Sequence, residues 1–437
     1  MDDLKMEHCP CGRGHRVEID HVIIGNGVLN RLPQLVAEYR AVRPFLLADC
    51  NTWQAAGARV GEILEQAHIS WEKFVFQDKA LEPDEKAVGS AVMHYDAGCD
   101  LIIGIGSGVI NDIGKILSAL TGRKYIIVAT APSMDGYASA TSSMSRDGLK
   151  VSLPSRCADT ILGDVDILKA APERMLQAGL GDMLAKYISI AEWRIAHLIT
   201  GEYYCENVAQ MIRKAVKKCM DNAKGLLRRD DRAIEAVFEG LVIGGIAMAY
   251  AGVSRPASGV EHYFSHVWDM RGLEFGTRTD LHGIQCAWGT YMAAKLYDRV
   301  RTMEPDMEKA EAYVAAFDRE KWNDRLRAFL GSGAETMIAL EEKEGKYHLD
   351  AHKSRAGKIR NNWQQIQRII QEEIPPAQVL GEILDTIGIP RKPEELGFSR
   401  EDLVLTFLAT KDIRDKYVLS RLGWDLGVLD ELCDELS

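Results

Sequence analysis

Two segments, Asp100-Leu101-Ile102-Ile103-Gly104-Ile105-Gly106 and Lys124-Tyr125-Ile126-Ile127-Val128-Ala129, are apolar at nearly every consecutive position. A strand with one wet face alternates apolar and polar residues, so an unbroken apolar run means that both faces are covered. His21-Val22-Ile23-Ile24-Gly25 and Pro44-Phe45-Leu46-Leu47-Ala48-Asp49 share the pattern, and stretches of helical spacing separate all four. One such stretch runs through Leu32-Pro33-Gln34-Leu35-Val36; another follows Cys50-Asn51-Thr52, where Asn or Thr can cap a helix. Strands of this kind joined by helical crossovers predict a parallel sheet with helices on each side. Between Lys150 and Asp166 the pattern turns irregular, with a strand-like piece at Thr160-Ile161-Leu162, and from Pro172 apolar residues recur at helical spacing almost to the end. The expected fold is therefore an α/β nucleotide-binding domain with a parallel sheet over residues 1–168, followed by an all-α domain over 169–437. The charged stretch from Glu304 to Arg360 is helical in composition and reads as a solvated face or an insertion.

A chain of 437 residues is long enough for two or three domains. Its formal charge of -11 argues against a broad nucleic-acid surface, which calls for a basic face. A small anion stays admissible, because one local cluster of donors outweighs a distant acidic surface. No uninterrupted apolar run approaches the roughly 20 residues that span a bilayer. The first residues, Met1 to His8, are polar and lack the apolar centre of a signal peptide. Nine cysteines without framework spacing read as reduced thiols, which points to the cytoplasm.

The strongest local feature of the first half is Gly104-Ile105-Gly106-Ser107-Gly108-Val109-Ile110-Asn111-Asp112, between a strand and a helix. Glycines there let the backbone approach a phosphate, and the helix N-terminus supplies N–H groups and positive potential. The spacing is not G-x-G-x-x-G, since position 109 is Val, and a tight structural turn uses the same glycines. After the next strand comes Thr130-Ala131-Pro132-Ser133-Met134-Asp135-Gly136-Tyr137-Ala138-Ser139, rich in small polar residues at the carboxyl end of the sheet, where open α/β folds bind ligands.

In the helical half, Gly179-Leu180-Gly181-Asp182 leads to Lys186 one turn on. Glu261-His262-Tyr263-Phe264-Ser265-His266 puts two histidines at i and i+4, and Leu281-His282-Gly283 supplies a third. One carboxylate and two neutral imidazoles suit Zn²⁺, Fe²⁺ or Ni²⁺ and leave positions open for a substrate oxygen. Each residue also has a plainer reading, as a satisfied core histidine or a helix cap.

Taken in order, these phrases resemble the superfamily of dehydroquinate synthase-like proteins, iron-containing alcohol dehydrogenases and glycerol dehydrogenases, and within it the sn-glycerol-1-phosphate dehydrogenase family. Ser254-Arg255-Pro256-Ala257-Ser258-Gly259 and the late Ile413-Arg414-Asp415-Lys416-Tyr417-Val418-Leu419 belong to the same match, which runs from about residue 18 to 430. The resemblance implies one divalent metal held by Asp182, His262 and His282, with His266 beside it to orient a ligand or shuttle a proton. It implies NAD or NADP along Gly106, Ser107, Gly108 and Asp112, near Thr130, Ser133 and Ser139. Asp49, at the end of a strand, can hold a ribose hydroxyl and so favours NAD. A homodimer is the family expectation. The chain departs from the pattern at Ile284, where many relatives carry Glu, and between about Glu304 and Glu373, a long stretch for the family. Cys9-Pro10-Cys11-Gly12-Arg13-Gly14-His15 has spacing that could hold a second zinc, with an ordinary flexible end as the alternative.

The reaction so implied is reversible NAD(P)H-linked reduction of dihydroxyacetone phosphate to sn-glycerol 1-phosphate, with the metal polarising the ketone. Lys186 and Arg255 are the expected phosphate donors and Asp135 a further substrate contact, with salt-bridge partners as the lesser alternative for both cations. The alternatives are a dehydrogenase of glycerol or another unphosphorylated alcohol, and a nucleotide-binding scaffold without catalysis.

Overall fold

The computed structural model describes residues 5–6, 8–146 and 149–436. They form two compact units, Met1–Met183 with Gln210–Val253 and Leu184–Ala209 with Ser254–Ser437.

The first unit opens with a short antiparallel pair, β1 (Lys5–Met6) and β2 (His15–Arg16). A six-stranded parallel sheet follows, built from β3 (His21–Gly25), β4 (Pro44–Asp49), β5 (Glu72–Phe76), β6 (Leu101–Gly106), β7 (Lys124–Ala129) and β10 (Thr160–Asp164). Its order is β3-β10-β7-β6-β4-β5. The runs read as doubly covered are so: every residue of β6 and of β10 is buried. One face packs Leu46, Ile103, Ile105, Val128 and Leu162 against Leu32, Leu35 and Val36 of α1 (Leu32–Glu38). Burying each such side chain contributes roughly 1.5–3 kcal/mol. β10, of which the sequence signals only a fragment, is a full strand between β3 and β7. The hairpin of β8 (Thr141–Arg146) and β9 (Leu149–Pro154) is not signalled at all, because Thr141-Ser142-Ser143 has neither the apolar run nor the alternation of a strand.

The order fixes where a ligand can sit. β4 is followed by its outer neighbour β5, whereas β6 is followed by β7 on the opposite side. Right-handed crossovers running in opposite directions open a crevice at the carboxyl ends of the two adjacent strands, here β4 and β6. The helices of this unit include α2 (Cys50–Thr52), α3 (Ala58–Gln66), α4 (Glu85–His94), α5 (Gly108–Thr121), α6 (Val165–Leu168) and α7 (Glu173–Leu184). By length and composition α10 (Asp231–Ala251) could cross a membrane, but 72% of its apolar window is buried inside the protein.

The remaining structure is helical, as expected after Pro172: α8 (Lys186–Thr200), α9 (Glu206–Asn222), α11 (Val260–Phe275) and α12 (His282–Val300) lead into α13 to α16 (Met307–Ala315, Arg319–Leu330, Gly333–Glu344, Leu349–Glu373). Gly289 lets α12 lie against α11, since a Cβ there would stand 2.5 Å from the carbonyl oxygen of Glu261. The charged stretch after Glu304 is not simply a solvated face. Trp322, Leu326, Ile359 and Ile366 are buried, and Arg421 is held between Glu341 at 2.9 Å and Asp412 at 3.1 Å. Those charges survive burial because each is paired and hydrogen-bonded.

Candidate active site

At the crevice of the first unit, Gly106 ends β6 and Ser107 precedes the first turn of α5. Three glycines of the loop have different reasons for being there. A Cβ on Gly104 would meet the Tyr125 hydroxyl oxygen at 2.4 Å, and one on Gly106 would meet the Ile110 Cβ at 2.5 Å. Packing accounts for both. Gly108 has nothing nearer than Met134 at 3.5 Å, so packing does not demand glycine at that helix N-terminus.

Asp112 pairs with Lys115 at 2.9 Å, and the buried Lys115 Nζ donates to the carbonyl oxygens of Thr141 at 2.5 Å and Gly136 at 3.4 Å. Lys115, which the sequence reading passes over, thus ties α5 to the loop after β7. Thr130, Ser133, Asp135 and Ser139 are all buried along that loop. Ser139 is engaged with Thr141, its hydroxyl accepting the Thr141 N–H at 3.1 Å. Asp49 stands at the end of β4, where its Oδ1 accepts the N–H groups of Asn51 and Thr52 at 2.8 and 2.9 Å and so caps α2. On α7, Asp182 is fully buried, and its Oδ2 accepts the Asp135 N–H at 2.9 Å.

The second unit brings the three histidines together. The rings of His262 and His282 are 5.0 Å apart and those of His266 and His282 are 6.3 Å apart, centroid to centroid. The Nδ1 of His262 lies 2.8 Å from a Glu261 carboxylate oxygen, and the Nδ1 of His282 lies 3.2 Å from the Ser265 hydroxyl. Fixing one ring nitrogen orients the other, the arrangement by which proteins present imidazoles to metals. Cys286, one turn beyond His282, has its sulfur 3.5 Å from the Nε2 of His282. An i, i+4 pairing of His282 with a thiol is visible in the sequence, but a cysteine in an apolar helix reads as core.

Beneath the histidines lie two buried carboxylates. Glu192 accepts the N–H of Val260 and of Leu419, both at 2.8 Å, and the Tyr297 hydroxyl at 3.1 Å. Burial pushes the Glu192 carboxyl up to about 8 and the Glu261 carboxyl up to about 7. Gly259 leaves the room both need: a Cβ there would stand 2.5 Å from Glu192 and 2.7 Å from Glu261.

Positive charge gathers beside them. Burial, with Arg255 and Arg414 nearby, pushes the Lys416 amine down to about 7 while its Nζ donates to the Ser258 carbonyl at 2.8 Å. Burial, together with Arg414, His282, His262 and Lys416, holds His266 well below the usual imidazole range. Arg255 is buried, 2.7 Å from Glu202, and donates to the Tyr417 carbonyl at 3.0 Å. Lys186, also buried, donates to the Ala257 carbonyl at 3.2 Å. The spacing of the late motif does not reveal that Arg414 and Lys416 return to the histidines.

A parallel α/β sheet followed by helices is the architecture of the glycerol dehydrogenase and iron-containing alcohol dehydrogenase class. The fold matches a probable glycerol dehydrogenase from Sinorhizobium meliloti (TM-score 0.60, 16% identity, 96% of this chain and 97% of that one). It also matches glycerol dehydrogenase from Schizosaccharomyces pombe (TM-score 0.61, 17% identity, 96% and 90%). The family model for iron-containing alcohol dehydrogenases matches residues 23–172. The chain belongs to the NAD(P)+ glycerol-1-phosphate dehydrogenase family: it is 33% identical over 322 residues to the enzyme of that name from Halalkalibacterium halodurans, covering 73% of this chain and 81% of the relative.

Proposed function

We propose that this chain catalyses the reversible NAD(P)H-linked reduction of dihydroxyacetone phosphate to sn-glycerol 1-phosphate. The observation that carries the phosphorylated substrate is the set of cations Arg255, Arg414 and Lys416, whose mutual repulsion helps to depress the Lys416 amine. Cations held this close to one another are relieved by an anion, and a phosphate is the anion this family name implies.

Asp182, His262 and His282 are the residues we assign to one divalent ion, Zn²⁺, Ni²⁺ or Fe²⁺. The donor set fits: two imidazoles, each with its Nδ1 held by a neighbour, and the Asp182 carboxylate are donor types such an ion takes. Bound there, such an ion supplies Lewis-acid polarisation of the substrate carbonyl. The rest falls to the chain. Gly106, Ser107 and Gly108 receive the dinucleotide phosphates at the head of α5, with Asp112, Thr130, Ser133 and Ser139 around them and Asp49 toward the ribose. Lys186, Arg255 and Lys416 hold the substrate phosphate, and Asp135 orients the substrate. His266, kept neutral by burial, gives or takes the proton at a ring nitrogen. In this reading residues 1–168 serve the cofactor, residues 169–437 serve metal and substrate, and the protein works as a cytoplasmic homodimer.

One observation favours the second reading, a dehydrogenase of an unphosphorylated alcohol: Arg255 is already paired with Glu202. Turnover of dihydroxyacetone phosphate and dihydroxyacetone with NADH and NADPH, after loading with each metal, decides between them. The expected result is a strong preference for the phosphorylated ketone that Lys416→Met erases. Equal rates for the two ketones in the unsubstituted protein would overturn the phosphate assignment.

A further inference from the structure

The site above leaves one cluster of metal-binding side chains unused, at the start of the described chain. Cys9 and Cys11 lie in the turn between β1 and β2, and His15 opens β2; each strand has two residues. Such a pair is far below the size at which a hairpin holds its own shape in water. Nevertheless the turn is well formed. The Gly12 N–H donates to the Cys9 carbonyl at 3.0 Å, and Gly12 takes φ of +81°, the left-handed conformation that glycine alone adopts at no cost. The Cys11 sulfur and the His15 Nε2 approach to 3.3 Å. His15 is 1% exposed, its ring stacks on Tyr250 at 5.4 Å, and its Nδ1 lies 3.0 Å from the Tyr250 carbonyl oxygen. A carbonyl acceptor fixes the proton on Nδ1 and leaves the Nε2 lone pair directed at the thiols. A buried imidazole set this way among sulfurs, on a segment with little core of its own, has the make-up of a structural metal site.

We propose that Cys9, Cys11 and His15 hold a second, structural metal ion of the zinc class. The donors are two sulfurs and one nitrogen, a set that selects Zn²⁺ over Mg²⁺ or Ca²⁺. The ion's work is to fix the β1–β2 turn onto Tyr250 and α10, not to enter the reaction.

Metal analysis of the full-length protein purified under reducing conditions tests this without reference to turnover. About two equivalents per chain are expected, of which one persists in His262→Ala and is lost on adding Cys11→Ser. Loading His262→Ala protein with Co²⁺ should give thiolate-to-cobalt charge-transfer absorption, absent from the double variant. Should Cys11→Ser fail to fold, the unsubstituted protein still decides: alkylation of Cys9 and Cys11, mapped by mass spectrometry, should speed up at least about tenfold once a chelator strips the metal. Metal-free His262→Ala protein, or alkylation rates indifferent to the chelator, would overturn the assignment.

Discussion

The crevice at the carboxyl ends of β4 and β6 and the histidine cluster of the second unit are built from opposite materials. The first consists of backbone: a strand end, a glycine without packing reason at position 108, and the unpaired N–H groups of a helix start. The buried Lys115 is turned to backbone carbonyls and to Asp112. The second consists of side chains, with the Glu192 and Glu261 carboxyls pushed up and the Lys416 amine pushed down by burial. A backbone site binds what many dinucleotides share. A side-chain site can be tuned to one substrate, and it stores the electrostatic cost of that tuning.

The contrast predicts unequal responses to single substitutions. The largest is expected at His262. His262→Ala removes a buried donor together with the purpose of the Glu261 hydrogen bond, and kcat/KM for dihydroxyacetone phosphate should fall by about 10²–10³-fold, the scale on which loss of one stabiliser of a developing oxyanion is felt. NADH binding, read by fluorescence titration, should stay within about twofold of the unsubstituted protein, because the two regions draw on separate residues. Loss of both together would break the comparison.

Gly108→Ala probes the backbone region in the mirror sense. The nearest atom to the new methyl is 3.5 Å away, so the melting temperature should hold. The methyl would stand where a phosphate must approach, and KM for NADH should rise about tenfold, equivalent to ~1.4 kcal/mol. The same change at Gly104 should instead destabilise the fold, because its methyl would collide with Tyr125. Identical affinity for NADH in Gly108→Ala and the unsubstituted protein would return the loop to a purely structural turn.

How far each region is legible in the sequence follows from the same difference. β6 and β7 announce themselves by unbroken apolar runs, and a loop of glycines after a strand shows where a phosphate can lie. Only the strand order reveals that Asp49 and Gly106 end neighbouring strands. In the helical half the residue types are legible and their meeting is not. His262 and His266 declare a shared helical face by spacing, but nothing local tells that Lys416, some 150 residues on, donates to Ser258, or that Glu192 caps the start of α11. Helices bury polar groups through long-range packing, which leaves no periodic trace. The stretch after Glu304 misleads for a related reason: composition averages over charges such as Glu341, whose burial depends on Arg421 far along the chain.

Stored electrostatic cost should be visible as pH dependence of stability. With its carboxyl raised to about 8 from 4.5, Glu192 keeps a proton in the folded chain that the unfolded chain has released. Its contribution is fully present below about pH 4.5 and is lost as pH rises toward 8. Lys416 and Lys411, pushed down to about 7 and about 8, act in the reverse sense: the unfolded chain retains protons that they have lost, so stability increases from about pH 7 toward 10.5. Glu192→Gln should therefore flatten the urea midpoint between pH 4.5 and 8 and leave the alkaline limb unchanged. An unaltered profile would show that Glu192 is ionised in the fold.

The smallest effect expected, at Asp49, separates the two kinds of site within one residue. Its Oδ1 caps α2 through Asn51 and Thr52, a backbone service, while its charge is what the proposed ribose contact would use. Asn caps a helix as well as Asp does, so Asp49→Asn should leave stability untouched, whereas Asp49→Ala should lose ~1 kcal/mol with the cap. Both remove the negative charge that repels a 2′-phosphate, and both should raise the NADPH-to-NADH ratio of kcat/KM by the same factor, up to about tenfold. A ratio that moves only in Asp49→Ala would trace cofactor choice to the position of α2, and one that moves in neither would place the ribose contact on another residue.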